Sequence, residues 1–140
     1  MADIKYDIDK TEDDYIHFEG RSLKQLKAFL YSGRAFEDCC GMITYTDGQK
    51  KIQLSVASLK DYGVYIGYSD QQDTYLSLSD KSKLSNVLDV WGDGLYVSEG
   101  LFIAPDLAWE AICEFVGTGG KCGEVDWMLP DELPEEGNYI

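Results

Sequence analysis

Met42-Ile43-Thr44-Tyr45-Thr46-Asp47-Gly48-Gln49-Lys50-Lys51-Ile52-Gln53-Leu54-Ser55-Val56-Ala57 reads as two strands joined by a tight turn. In its second half Ile52, Leu54 and Val56 alternate with Gln53 and Ser55, so a strand here buries one face and wets the other. Asp47-Gly48 is a hairpin signal, because glycine enters the left-handed backbone region that tight turns need. Downstream, Tyr62, Val64, Ile66 and Tyr68 repeat the two-residue period, with Gly63 and Gly67 on the other face. Residues 75–78, 94–97 and 100–103 read as further short strands, residues 124–128 as an extended segment, and residues 4–8 and 15–19 as two weak strands. Short strands at this spacing predict an antiparallel meander. The polar stretch 79–93, which holds Trp91, is expected to cross over a sheet edge.

Two segments break the period. Ser22-Leu23-Lys24-Gln25 matches a capping box, with a hydroxyl at the N-cap and an amide side chain three residues on. Leu23, Leu26, Phe29 and Leu30 follow at helical spacing, which predicts a helix over 23–32 with Gly33 as its stop. Pro105 opens a second helix, where a missing N–H is harmless. This helix is expected to reach Val116 and end at Gly117. Ala108, Ala111, Ile112 and Phe115 form one stripe on it; Asp106, Glu110 and Glu114 form another, roughly 150° away. The expected fold is α+β: mainly an antiparallel β-sheet meander with two helices packed against it. With no internal repeat or linker, residues 1–140 form one domain, of which 129–140 is an acidic tail.

Charge is the chain's other strong signal. Residues 84–140 hold twelve acidic residues and one basic residue, Lys121; residues 1–83 hold fourteen against eleven. The two parts therefore carry −11 and −3 of the total −14. Such a field repels nucleic acid and anionic membranes and attracts basic protein surfaces. No apolar run approaches the roughly 18–20 residues that span a bilayer. Met1-Ala2-Asp3-Ile4-Lys5 has no basic region followed by an apolar core, so a cytoplasmic protein with reduced cysteines is expected.

Catalytic chemistry is poorly represented. His17 is the single histidine, with no Ser or Cys motif around which a triad or zinc site would form. Gly117-Thr118-Gly119-Gly120-Lys121-Cys122 fails as a phosphate-binding loop: the glycine spacing is wrong, Cys122 replaces the hydroxyl residue, and a helix precedes it. Asp7, Asp9 and Glu12, or Asp89 with Asp93, lack the spacing of a calcium loop. The expectation is a protein with no catalytic residues, no metal and no cofactor. Trp109 falls between the two stripes of the second helix, either at the edge of a core or as an aromatic anchor ringed by carboxylates.

Gly100-Leu101-Phe102-Ile103-Ala104-Pro105, the acidic helix, Glu114-Phe115-Val116-Gly117-Thr118-Gly119 and Val125-Asp126-Trp127 form an ordered series. With the tail from Leu133-Pro134 to Gly137-Asn138-Tyr139-Ile140, this series resembles immunity protein family one (Imm-one) of bacterial polymorphic toxin systems. The shared features are a proline-started helix, a Phe and a Thr-Gly closing it, and a tryptophan about eight residues on. Cys122 departs from the family pattern, in which a proline often precedes the tryptophan.

The resemblance implies a mostly β fold and a non-catalytic immunity protein. Such a protein binds and neutralises a cognate secreted toxin domain, often a nucleic-acid-targeting enzyme such as a deaminase or nuclease. An acidic surface suits the basic cleft of such an enzyme. The expected toxin-binding residues are Asp106, Trp109, Glu110, Glu114, Glu124, Asp126 and Trp127, with Trp127 open between core packing and contact. The alternative is a small-ligand-binding or adaptor module that uses a tyrosine-lined sheet face built from Tyr62, Tyr65 and Tyr68.

Overall fold

The computed structural model describes residues 2–10, 17–18, 22–90 and 95–133. In chain order the strands are β1 Asp3–Asp9, β2 His17–Phe18, β3 Tyr31–Ser32, β4 Ala35–Phe36, β5 Cys39–Asp47, β6 Lys50–Leu59 and β7 Gly63–Ser69. They continue as β8 Thr74–Leu78, β9 Val87–Val90, β10 Leu95–Ser98, β11 Phe102–Ile103 and β12 Asp126–Met128. The helices are α1 Leu23–Leu30 and α2 Pro105–Thr118.

The hairpin that decides the fold is β5–β6. Asp47 lies opposite Lys50, leaving Gly48-Gln49 as a two-residue turn with Gly48 at φ 63°. Ile52, Leu54 and Val56 are buried while Gln53 and Ser55 remain partly wet, as the alternation requires. β7 and β8 return antiparallel beside them, completing the meander. The chain ends then extend it on both sides, giving the order β12-β8-β7-β6-β5-β1-β2 with every pairing antiparallel.

β7 is shared by two partners on its outer side. β8 covers Gly67–Ser69, and β11 takes over at Val64 and Tyr65. Ser77 spans the changeover: its hydroxyl accepts from the Ile66 N–H at 3.0 Å and donates to the Leu101 carbonyl at 2.7 Å. All of this is buried. Ser77→Ala leaves both backbone groups without their partner, so a loss of about 2–3 kcal/mol is expected in urea unfolding. A loss below about 0.5 kcal/mol shows that the seam closes without the hydroxyl.

Both helices lie on one face of the sheet. Leu26 and Leu30 of α1, with Ala108, Ala111, Ile112 and Phe115 of α2, share a core with Ile43, Ile52, Leu54, Val64 and Ile66. Among the described residues, the opposite face is covered at the β7–β8 end. There Val90 and Val97 of the β9–β10 ribbon, with Leu84 and Leu101, bury Ala57, Tyr65, Leu76 and Met128. The polar stretch 79–93 therefore contains a 3-10 turn over Lys81–Lys83 and a true strand, not a bare crossover. Trp91 lies outside the described residues.

Both helix ends differ from the expected ones. Ser22 Oγ accepts from the Gln25 N–H at 3.1 Å, so the N-cap of α1 is as expected. The helix stops at Leu30, however, because Tyr31 turns extended and packs edge-on to Phe36 and Trp109, at 5.0 and 6.1 Å between centroids. Tertiary aromatic packing overrides the local propensity here. Gly33, at φ 63°, turns the β3–β4 hairpin instead of ending the helix. α2 continues through Gly117 and ends at Gly119, the residue with the left-handed conformation, φ 73°. The Thr118 hydroxyl holds the extra turn by donating to the Glu114 carbonyl at 2.9 Å. Of the expected tail, Pro130–Glu132 forms a 3-10 turn and Leu133 packs on the second core. Residues 134–140 lie outside the described residues.

Candidate protein-binding surface

On α2 the two stripes separate as the 3.6-residue period requires. Ala108, Ala111, Ile112 and Phe115 are buried, and Asp106, Glu110 and Glu114 are exposed. Trp109 stands half-buried between them. Its ring meets Tyr31 edge-on, and the Lys27 ammonium from α1 sits 5.6 Å from the Trp109 ring and 5.5 Å from the Tyr31 ring. The notch between the helices is thus an aromatic pair capped by a cation and bordered by carboxylates. Burial, then Asp106, then Cys113 push the Tyr31 hydroxyl above its ordinary pKa. Burial also raises the Cys113 thiol; Lys27 opposes this and Glu110 adds to it.

The α2 carboxylates differ in how they suit the helix dipole. Asp106, in the first turn, suits the positive end of the helix dipole. Glu114 lies near the negative end, and the last turn carries no basic residue to offset it.

Glu124, Asp126 and Trp127 belong to a different place, the sheet edge. Glu124 and Asp126 are exposed, and Asp126 pairs with Leu78 across β12–β8. Trp127 is half-buried. Its indole N–H donates to the Cys122 carbonyl at 2.9 Å, and its ring packs edge-on against Tyr68 at 6.3 Å. The Tyr68 hydroxyl donates in turn to the Gly119 carbonyl at 3.0 Å. Trp127 therefore both anchors the loop after α2 and leaves part of its ring toward solvent. The two tryptophans border the same core, Trp109 from the helix layer and Trp127 from the sheet edge. Of the seven expected residues, Asp106, Trp109, Glu110 and Glu114 stand on α2, while Asp126 and Trp127 stand on β12 with Glu124 in the turn before it.

The tyrosine-lined face does not form. Tyr65 and Tyr68 are three positions apart, an odd offset, so they point to opposite faces of β7, where both are buried. The Tyr65 hydroxyl lies over Gly67, 2.6 Å from where a Cβ would stand, which explains that glycine. Tyr62 is exposed and tilts against Phe102.

Two hollows leave little trace in the sequence. The larger, about 970 Å³, is an open concavity over the wet face of β1, β5 and β6, lined by Lys5, Met42, Thr44, Thr46, Lys51 and Gln53 among others. Its trace in the sequence is the polar half of the alternation in β5 and β6. The smaller, about 340 Å³, lies beside Trp127 and includes Tyr75 and Lys121; no local pattern marks it.

None of the four cysteines is joined in a disulfide. Burial pushes the Cys39 thiol up to about 12, against the opposing hydrogen bond from Ser58. Native protein treated with a disulfide reagent at pH 8 is therefore expected to leave Cys39 unmodified, with all four thiols reacting after denaturation. Modification of Cys39 in the native state contradicts this packing.

Among the described residues no group of three or more His, Cys, Asp or Glu is placed to hold a metal ion, and no helix is long and apolar enough to cross a membrane. No protein-family model, curated protein or solved structure matches this chain.

Proposed function

We propose that this chain is a non-catalytic, cytoplasmic immunity protein. It binds a basic surface on a cognate secreted toxin domain and so neutralises it. The observation that carries this reading is the α2 ridge: three exposed carboxylates four residues apart beside a half-buried tryptophan, on a helix whose other face is wholly committed to the core. Glu114 opposes the helix dipole at its position, and its carboxylate accepts a long bond from the Thr118 hydroxyl at 3.4 Å, so a partner accounts for its charge better than the dipole does. The carboxylates speed encounter and reject wrong partners, while binding energy concentrates in aromatic anchors such as Trp109. The resemblance to immunity protein family one supplies the kind of partner, a toxin that acts on nucleic acid and so presents a basic cleft.

The test is co-expression with the C-terminal domain of a large secreted protein encoded beside this one. Rescue of growth, with a stable complex of the two, is the expected result. A toxic domain that is not rescued and does not bind overturns the reading for that pair.

A further inference from the structure

At the sheet edge, where β8 and β12 lie side by side, the groove of about 340 Å³ is lined by Asp73, Tyr75, Lys121, Trp127, Leu129 and Glu132. Tyr75 and Trp127 flank Tyr68, with centroids 6.4 and 6.3 Å from it. The hydrogen bonds of Tyr68 and Trp127 to the Gly119 and Cys122 carbonyls fix this aromatic row from behind. The carboxylates of Asp73 and Glu132 stand exposed at the rim, and Leu129 is 42% exposed. One oxygen of Glu132 accepts from the Leu129 N–H, which holds that carboxylate at the groove.

A cation already occupies part of this site. The Lys121 ammonium lies 3.4 Å from the Tyr75 ring centroid, and Lys121 is the sole basic residue of the acidic part of the chain. Aromatic faces framed by carboxylates favour a cation and oppose an anion.

We propose that this groove receives an arginine side chain of the basic partner, and that Lys121 is a resident cation which the arginine displaces from Tyr75. The proposal rests on the acidic-surface reading above and names one anchor for it. Arginine fits better than lysine for three reasons. Its planar guanidinium stacks on ring faces, it gives up its hydration more readily than an ammonium, and its fork of donors reaches carboxylates at the rim. A second ammonium repeats what Lys121 already provides. Displacing Lys121 loses one cation–ring contact and gains ring contacts together with charge-assisted hydrogen bonds.

The experiment is a titration of the full chain with the peptide Gly-Arg-Gly-Arg-Gly and its lysine counterpart, followed by NMR at the indole N–H of each tryptophan. The arginine peptide is expected to shift the Trp127 indole and to bind about threefold or more tighter than the lysine peptide. Lys121→Ala, at an exposed position, is expected to tighten arginine-peptide binding by about fivefold, the worth of one exposed cation–ring contact. The charge control Lys81→Ala is expected to change it less than about twofold. Equal gains in the two variants overturn the proposal, because net charge alone is then being sensed. Equal binding of the two peptides overturns the choice of arginine. Absence of a shift at Trp127, whether or not Trp109 shifts, overturns the groove; the acidic-surface reading is judged separately by the co-expression test.

Discussion

Gly41→Ala is expected to lower the free energy of unfolding by about 4 kcal/mol or more, the range reserved for substitutions that disrupt the backbone or core. Gly41 lies opposite Ile8 in the β5–β1 pairing. A Cβ there would stand 2.2 Å from the Asp7 carbonyl oxygen and 2.5 Å from the Ile8 Cα. Both obstacles are backbone, so no side-chain rotation relieves them, and β1 must move away from β5. Tyr6 and Ile8, both buried, leave the core with it. Typical domains are stable by only about 5–15 kcal/mol, so most of the margin is at stake.

Gly117→Ala provides the contrast. Gly117 is helical and exposed, with nothing within 4 Å of the new methyl. It is expected to raise stability by about 0.5–1 kcal/mol through helix propensity and reduced freedom of the unfolded chain. Urea midpoints at constant slope measure both. A Gly41→Ala loss below about 1 kcal/mol shows that β1 yields without breaking its pairing.

The second large effect falls on association. If the proposed function holds, reversing the ridge with Glu110→Lys and Glu114→Lys is expected to slow binding to the proposed toxin partner by about tenfold or more and to flatten its dependence on salt. The same double variant is expected to fold with undiminished stability. Both side chains are exposed, and a lysine near the C-terminal end of α2 suits the helix dipole better than a glutamate. Thr118 keeps its 2.9 Å bond to the Glu114 carbonyl, a backbone group, and loses only the longer one, 3.4 Å, to the exposed carboxylate. Stopped-flow association at two ionic strengths, beside a urea curve, separates the two effects. An unchanged association rate removes the α2 ridge from the interface, and a large stability loss shows that the carboxylates serve the fold.

What was legible before the structure is what depends on local period. The alternation of Ile52, Leu54 and Val56 gave the sheet its hidden face, and the stripes of α2 gave both the buried residues and the exposed acids. Ser22 and Pro105 marked helix starts because a cap or an N1 proline acts on its own backbone. What was illegible depends on residues distant in sequence. Nothing beside Tyr31 announces that Phe36 and Trp109 will draw it out of the helix. Nothing beside Ser77 shows that β7 changes partners there. Tyr65 and Tyr68 of β7, three positions apart, fall on opposite faces, which the two-residue period alone dictates.

The same division runs through the candidate surface. The sequence by itself determined that this chain builds an antiparallel sheet with two helices against it, and that its acidity gathers after residue 83. Period and charge are properties of neighbouring residues, so they survive without the fold. Only the tertiary structure decided that the acids divide between a helix ridge and a sheet edge, and that Lys27 and Lys121 settle on aromatic rings beside the two tryptophans. Such contacts form where packing brings distant segments together, because the attraction of a cation for a ring face is lost beyond a few ångströms.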